Sequence, residues 1–138
     1  MKSPYLVLYQ NALRLDHWDI RLDPEWDPEQ TETSADCYFR SNEQAATIRI
    51  DPEVRGSNLD AHIVHELAHI VLSDYVKVAC AAIARLGPGA EYVLDILGDM
   101  EERICDTIAH ALTGVTYIPV GSSKKVHAPF LDTTVCTD

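Results

Sequence analysis

From about Asn58 to Arg85 the chain carries one helical pattern, with Leu59, Ile63, Leu67, Ile70, Val71, Val78 and Ile83 recurring at three- and four-residue steps. Inside it stands His65-Glu66-Leu67-Ala68-His69, with Ile63, Val64, Ile70 and Leu72 around it, the neighbourhood of a buried helix. Two histidines and a glutamate in apolar surroundings are costly unless something partners them. A chain of 138 residues has space for one core of ordinary size, so a single domain spanning residues 1–138 is expected to form around this helix.

The remaining elements follow from period and breakers. Ser3 and Pro4 suit an N-cap and first turn, and Tyr5, Leu6, Leu8, Tyr9, Ala12 and Leu13 predict a helix ending near Leu15-Asp16. Trp18 to Asp23 alternates apolar and charged residues, as a half-buried strand does, and Pro24 ends it. The acidic stretch from Asp27 to Ser34 reads as a connection. Cys37-Tyr38-Phe39-Arg40 and Ala46-Thr47-Ile48-Arg49-Ile50 flank a turn at Ser41 to Gln44. The simplest arrangement is an antiparallel meander.

After Gly87-Pro88-Gly89, a second long helix is predicted from about Ala90 to Leu112, closing at Gly114. Val93, Ile96, Leu97, Met100, Ile104, Ile108, Ala111 and Leu112 mark its apolar side. An irregular tail is expected over about 121–138. The fold class is therefore α+β: a helix, a small mostly antiparallel sheet, then two long helices.

Eleven Lys+Arg against 22 Asp+Glu give a net charge of −11, which repels phosphate backbones and anionic membrane surfaces. No nucleic-acid partner and no membrane partner are expected. The apolar stretches read as shorter than the roughly 18–20 residues that span a bilayer, and Met1-Lys2-Ser3-Pro4 opens no signal-peptide pattern, so a cytoplasmic location is expected. Cys37, Cys80, Cys105 and Cys136 show no C-x-x-C spacing, and reduced thiols are the default. Cys80 and Cys105 read as small buried hydrophobes, and Cys136 falls in the polar tail.

The chemistry lies in the H-E-x-x-H run. Residues four apart share a helix face, so His65 and His69 can present imidazole nitrogens to one zinc ion at about 2.0–2.1 Å. Glu66, about 100° around the helix, projects beside the ion, where it can take the proton of an activated water. A catalytic zinc wants three protein ligands and an open position. Glu102 is ranked first as the third ligand, because Asp106 follows one turn later and can orient a ligating histidine. Glu101 competes for the role. Glu91, Asp95 and Asp99 read as a solvated face. His62 is either a group behind the ligands or a surface histidine, His110 is an alternative ligand, and His127 and Tyr117 are candidate donors to an oxyanion.

His65-Glu66-Leu67-Ala68-His69 followed by Glu102-Arg103-Ile104-Cys105-Asp106 resembles the gluzincin clan of zinc metallopeptidases. The segment from His65 to Ala109 is most similar to the compact ImmA/IrrE-type and minigluzincin-like peptidases, with Glu102, Cys105, Asp106, Ile108 and Ala109 standing in an E-x-x-A-N/D-x-F-A pattern. The definite motifs cover about a third of the chain. The resemblance implies a zincin-like fold, with the Trp18 to Ile50 strands over the active-site helix and an edge strand that binds extended peptide.

The sequence thus points to a single-domain, zinc-dependent metallopeptidase acting on a peptide or protein substrate. One zinc ion would be held by His65, His69 and Glu102. Glu66 would serve as general base and Asp106 would orient a histidine. A substrate strand is expected to add near Ala46 to Ile50. The alternative is a non-catalytic, zinc-stabilised regulatory or interaction protein, of the kind a phage or mobile element encodes.

Overall fold

A computed structural model describes residues 4–23 and 34–114. The order of elements is α1 (Pro4–Ala12), β1 (Asp19–Asp23), β2 (Ala35–Arg40), β3 (Ala45–Ile50), α2 (Ser57–Ala84) and α3 (Ala90–Thr113). The α+β class is that of the sequence reading. Ser3, Tyr117, the 121–138 tail with His127 and Cys136, and most of the Asp27–Ser34 connection lie outside the described residues.

Helix α1 starts at Pro4, whose missing N–H is no loss in a first turn. It stops at Ala12, short of the expected Leu15, because Arg14 turns left-handed at φ 59° and the amide of Leu15 reaches back to Gln10 O at 2.8 Å. Buried Gln10 then holds the chain on its way to the sheet. Its Nε2 donates to the carbonyls of Leu15 (2.7 Å) and Trp18 (2.6 Å).

The sheet is not a meander. Its strand order is β1-β3-β2, with β2 and β3 antiparallel and β1 parallel to β3. The β2–β3 hairpin closes through a turn at 41–44 in which Gln44 takes φ 49°. Strand β3 is the central strand, paired with β1 on one side and β2 on the other. Ala46 to Ile50 is therefore no free edge for an incoming strand, contrary to the sequence expectation.

Alternation survives this rearrangement. Ile20, Ala46 and Phe39 line up across the strands, as do Leu22, Ile48 and Cys37, on the face turned to the helices. With Leu6, Leu15, Trp18, Ile63, Leu67 and Ile70 they form the core, in which Trp18 meets Phe39 edge-on at 6.4 Å between ring centroids. The outer face is polar. There Arg49 forks onto Asp36 at 2.9 and 2.6 Å and lies over the Tyr38 ring.

Helix α2 is buried without interruption from Ala61 to Ile70, packed on α1, the sheet and α3. By length and composition it can also cross a membrane, with mean hydropathy 1.6 over an 18-residue window, which corrects the expectation that the apolar runs are too short. A central helix of a packed domain has the same apolarity, and 39% of this window is buried within the structure.

Helix α3 ends as expected at Gly114, left-handed at φ 69° with its amide bonded to His110 O. Its packing face differs from the expected one. Ala90, Gly98, Glu101, Cys105 and Ala109 are buried, whereas Ile96, Met100, Ile104 and Leu112 of the apolar stripe are exposed. The helix is rotated by about a quarter turn, so that acids and small residues, not the largest apolar side chains, face α2.

Cys37 and Cys105 are free and buried. Cys80 is disulfide-bonded, so the expectation of reduced thiols fails at that position. Periodicity registered only that Cys80 is apolar and buried, and a half-cystine fits the same pattern.

Candidate metal centre

His65 and His69, one turn apart on α2, bring their Nε2 atoms to 3.3 Å, with the rings nearly perpendicular at 73°. From α3, Glu102 places Oε2 3.0 Å from His65 Nε2 and Oε1 3.0 Å from His69 Nε2. Ligands at about 2.0–2.1 Å around a tetrahedral ion stand about 3.3 Å from one another, so three donors with these spacings fit such an ion. Among the described residues, His65, His69 and Glu102 are the group of potential ligands that converges in this way.

The histidines are held from behind by α3. His69 Nδ1 donates to Glu101 Oε2 at 2.6 Å, with both side chains buried. His65 Nδ1 meets Asp106 Oδ1 at 2.8 Å in an ionic contact that is not a well-aligned hydrogen bond. With each Nδ1 turned to a carboxylate, each Nε2 presents its lone pair to the shared centre, the arrangement that raises ligand basicity. Glu101 and Glu102 are thus not rivals. One faces the two Nε2 atoms, and its neighbour, about 100° around the helix, supports His69.

The electrostatics describe a site that holds positive charge. Burial disfavours the His65 imidazolium, but contacts with Asp106 and Glu102 outweigh it and carry the pKa up to about 9. Burial acts the same way on His69, and Cys105, Glu101 and Glu102 still hold its pKa well above the ordinary value. Burial pushes Glu102 up, yet the two histidines bring it down to about 2. The place between these donors favours positive charge, which a divalent ion would supply.

Glu66 is buried beside this cluster, and burial lifts its carboxyl to about 7. No hydrogen bond from the described residues reaches that carboxylate, and its neighbours are the two histidines, Glu102 and Asp36. The thiols of Cys105 and Cys37 also lie nearby. Burial raises both, Cys105 to about 11 and Cys37 well above the ordinary thiol value.

Of the other expected residues, His62 is fully buried and turned away from the centre. Its Nδ1 donates to Asn58 O (2.7 Å) and its Nε2 accepts from the Ser34 hydroxyl (2.8 Å), which ties α2 to the start of β2. His110 is exposed and outside the cluster, and Glu91, Asp95 and Asp99 form the solvated face expected of them. The sequence reading missed the supporting role of Glu101 and the Ser34–His62 bond. The first left a trace, an acid on the apolar side of a helix, whereas Ser34 left none.

No protein-family model matches the chain, no curated protein matches its sequence, and no solved structure matches its fold.

Proposed function

We propose that this protein is a zinc-dependent metallopeptidase, with His65, His69 and Glu102 holding one zinc ion. The observation that carries the reading is the convergence of two Nε2 atoms and a carboxylate within 3.3 Å, beside a buried glutamate that takes no part in holding them. A zinc ion held there supplies Lewis acidity, polarising a substrate carbonyl and bringing the pKa of a water toward 7.

The rest is done by the chain. Glu66 receives the proton of the attacking water and returns it to the nitrogen of the leaving amine. Glu101 and Asp106 keep the imidazoles aimed, so the ligand geometry needs no rearrangement as charge develops. Burial of Glu66 keeps bulk water away from its carboxylate. By resemblance this is the gluzincin arrangement, with peptides as the substrate class.

Glu66→Gln tests the reading. Zinc content by elemental analysis is expected to stay near one equivalent while hydrolysis of a peptide mixture is lost. Unchanged cleavage by the variant would refute the role of Glu66. A second reading, a zinc-stabilised interaction protein, is favoured by the exposed stripe Ile96, Met100 and Ile104 on α3. It requires that the parent chain bind zinc and cleave no peptide.

A further inference from the structure

Helix α3 packs on α2 alone among the described elements, so much of its circumference has no neighbour. Along that open side Tyr92, Ile96, Met100 and Ile104 recur at four-residue steps and are 73%, 42%, 47% and 43% exposed. A row of this spacing is the ridge by which two helices interlock at about −50°. An exposed helix side is ordinarily polar, and this one is apolar over three turns. Glu102 stands about 200° around the helix from Met100, so the row faces away from the candidate ligands.

The flank of the row decides which partner fits. Four-residue steps also join Asp95, Asp99 and Arg103, all exposed and without an ion pair among the described residues. Arg103 is the only Lys or Arg of α3. A basic partner would meet it as a like charge, whereas the same ridge run in reverse sets Arg103 beside Asp95 and within reach of Asp99. The apolar row is centred on Gly98 and the charged row on Asp99, so one two-fold axis serves both. That axis opposes Ile96 to Met100 and Tyr92 to Ile104 of the other copy. The two Asp99 carboxylates lie near it at the solvated rim, with an Arg103 on either side. In a parallel pairing the charged flanks fall on opposite sides of the contact and never meet.

We propose that the exposed face of α3 is a self-association surface, on which a second copy of this chain docks antiparallel about a two-fold axis near Gly98 and Asp99. A single helix crossing offers less than the roughly 800 Å² per partner of a standard interface, and each copy carries a charge of −11, so the dimer is expected in the micromolar range. Pairing leaves the Glu102 side of each helix uncovered.

The test is sedimentation equilibrium of the full chain from about 1 to 200 µM at about 0.15 M salt, with a non-reducing gel to detect covalent dimers. The mass is expected to rise from 15.4 kDa toward twice that value. Ile96→Glu and Met100→Glu, both at exposed positions, are each expected to hold the chain at monomer mass, with circular dichroism to establish folding. Should Met100→Glu, next to Glu101, not fold, Ile96→Glu carries the test. Arg103→Glu is expected to weaken the dimer about fivefold, and adding Asp95→Arg to recover affinity. A monomer at every concentration, a covalent dimer, or a dimer indifferent to Ile96→Glu overturns the surface. Equal or tighter pairing in Arg103→Glu overturns the antiparallel arrangement.

Discussion

Replacing Glu101 by Gln is expected to weaken zinc binding by about ten- to a hundredfold, and the same change at Asp106 to weaken it less. Both carboxylates stand behind an imidazole of the candidate site, at 2.6 Å and 2.8 Å from Nδ1, so distance does not separate them. Burial does. The Glu101 side chain is 4% exposed and that of Asp106 is 46% exposed, so water screens only the second charge effectively. A buried partner behind a metal-binding histidine is worth about 10–100-fold in affinity, or about 1.4–2.7 kcal/mol. A half-exposed one falls toward the surface-pair range of about 0–1 kcal/mol, at most about fivefold. Gln at position 101 keeps an oxygen that can accept from His69 Nδ1, so the change removes charge while preserving aim. Zinc affinity is measured by competition with a chromophoric chelator at fixed neutral pH, with circular dichroism to establish that each variant is folded. Equal or greater loss in Asp106→Asn, or full affinity in Glu101→Gln, would show that burial does not rank the two supports.

Two further outcomes concern stability. Burial holds the pKa of His62 below its ordinary 6.5, so the folded chain keeps this ring neutral while the unfolded chain protonates it. That contribution is complete above about pH 6.5 and is lost as the pH falls, with a slope of up to about 1.4 kcal/mol per unit. Urea unfolding of His62→Gln from neutral to mildly acid pH is expected to show a flatter acid limb than the parent, and an unchanged limb would count against the burial argument. Ile104→Ala, on the exposed side of α3, is expected to cost under about 1 kcal/mol, and Ile48→Ala, at the centre of the sheet, about 2–5 kcal/mol. Similar losses at the two positions would mean that the apolar stripe of α3 is packed after all.

What the sequence made legible was local. The H-E-x-x-H run needs only helical spacing to bring His65 and His69 together, and the breakers at Gly87 to Gly89 and Gly114 bound α3 where they were read. Strand patterning found all three strands. Strand order was not legible, because β1 could pair with either member of the hairpin and alternation carries no information about the partner. The orientation of α3 was misread for a different reason. Periodicity weights large apolar side chains, but the helix turns its carboxylates inward, where His65 and His69 compensate them, and leaves Met100 and Ile104 outside. Glu101 therefore looked like a competitor for the ion when its partner was a histidine 32 positions earlier, a pairing no local pattern announces.

Every side chain of the candidate metal centre lies between His65 and Asp106, on two helices joined by a short glycine-rich bend, whereas the parallel pairing of β1 with β3 joins residues from 19 to 49 around the intervening strand β2. Antiparallel helices assemble through nearby contacts and parallel strands through distant ones, and the first kind forms faster. In a ribosome-borne chain the order of appearance runs the other way: the sheet strands emerge first and wait for the helix on which they pack. The last residues of the candidate centre thus arrive when the sheet is already available, and the α2–α3 hairpin that brings the site together closes after it.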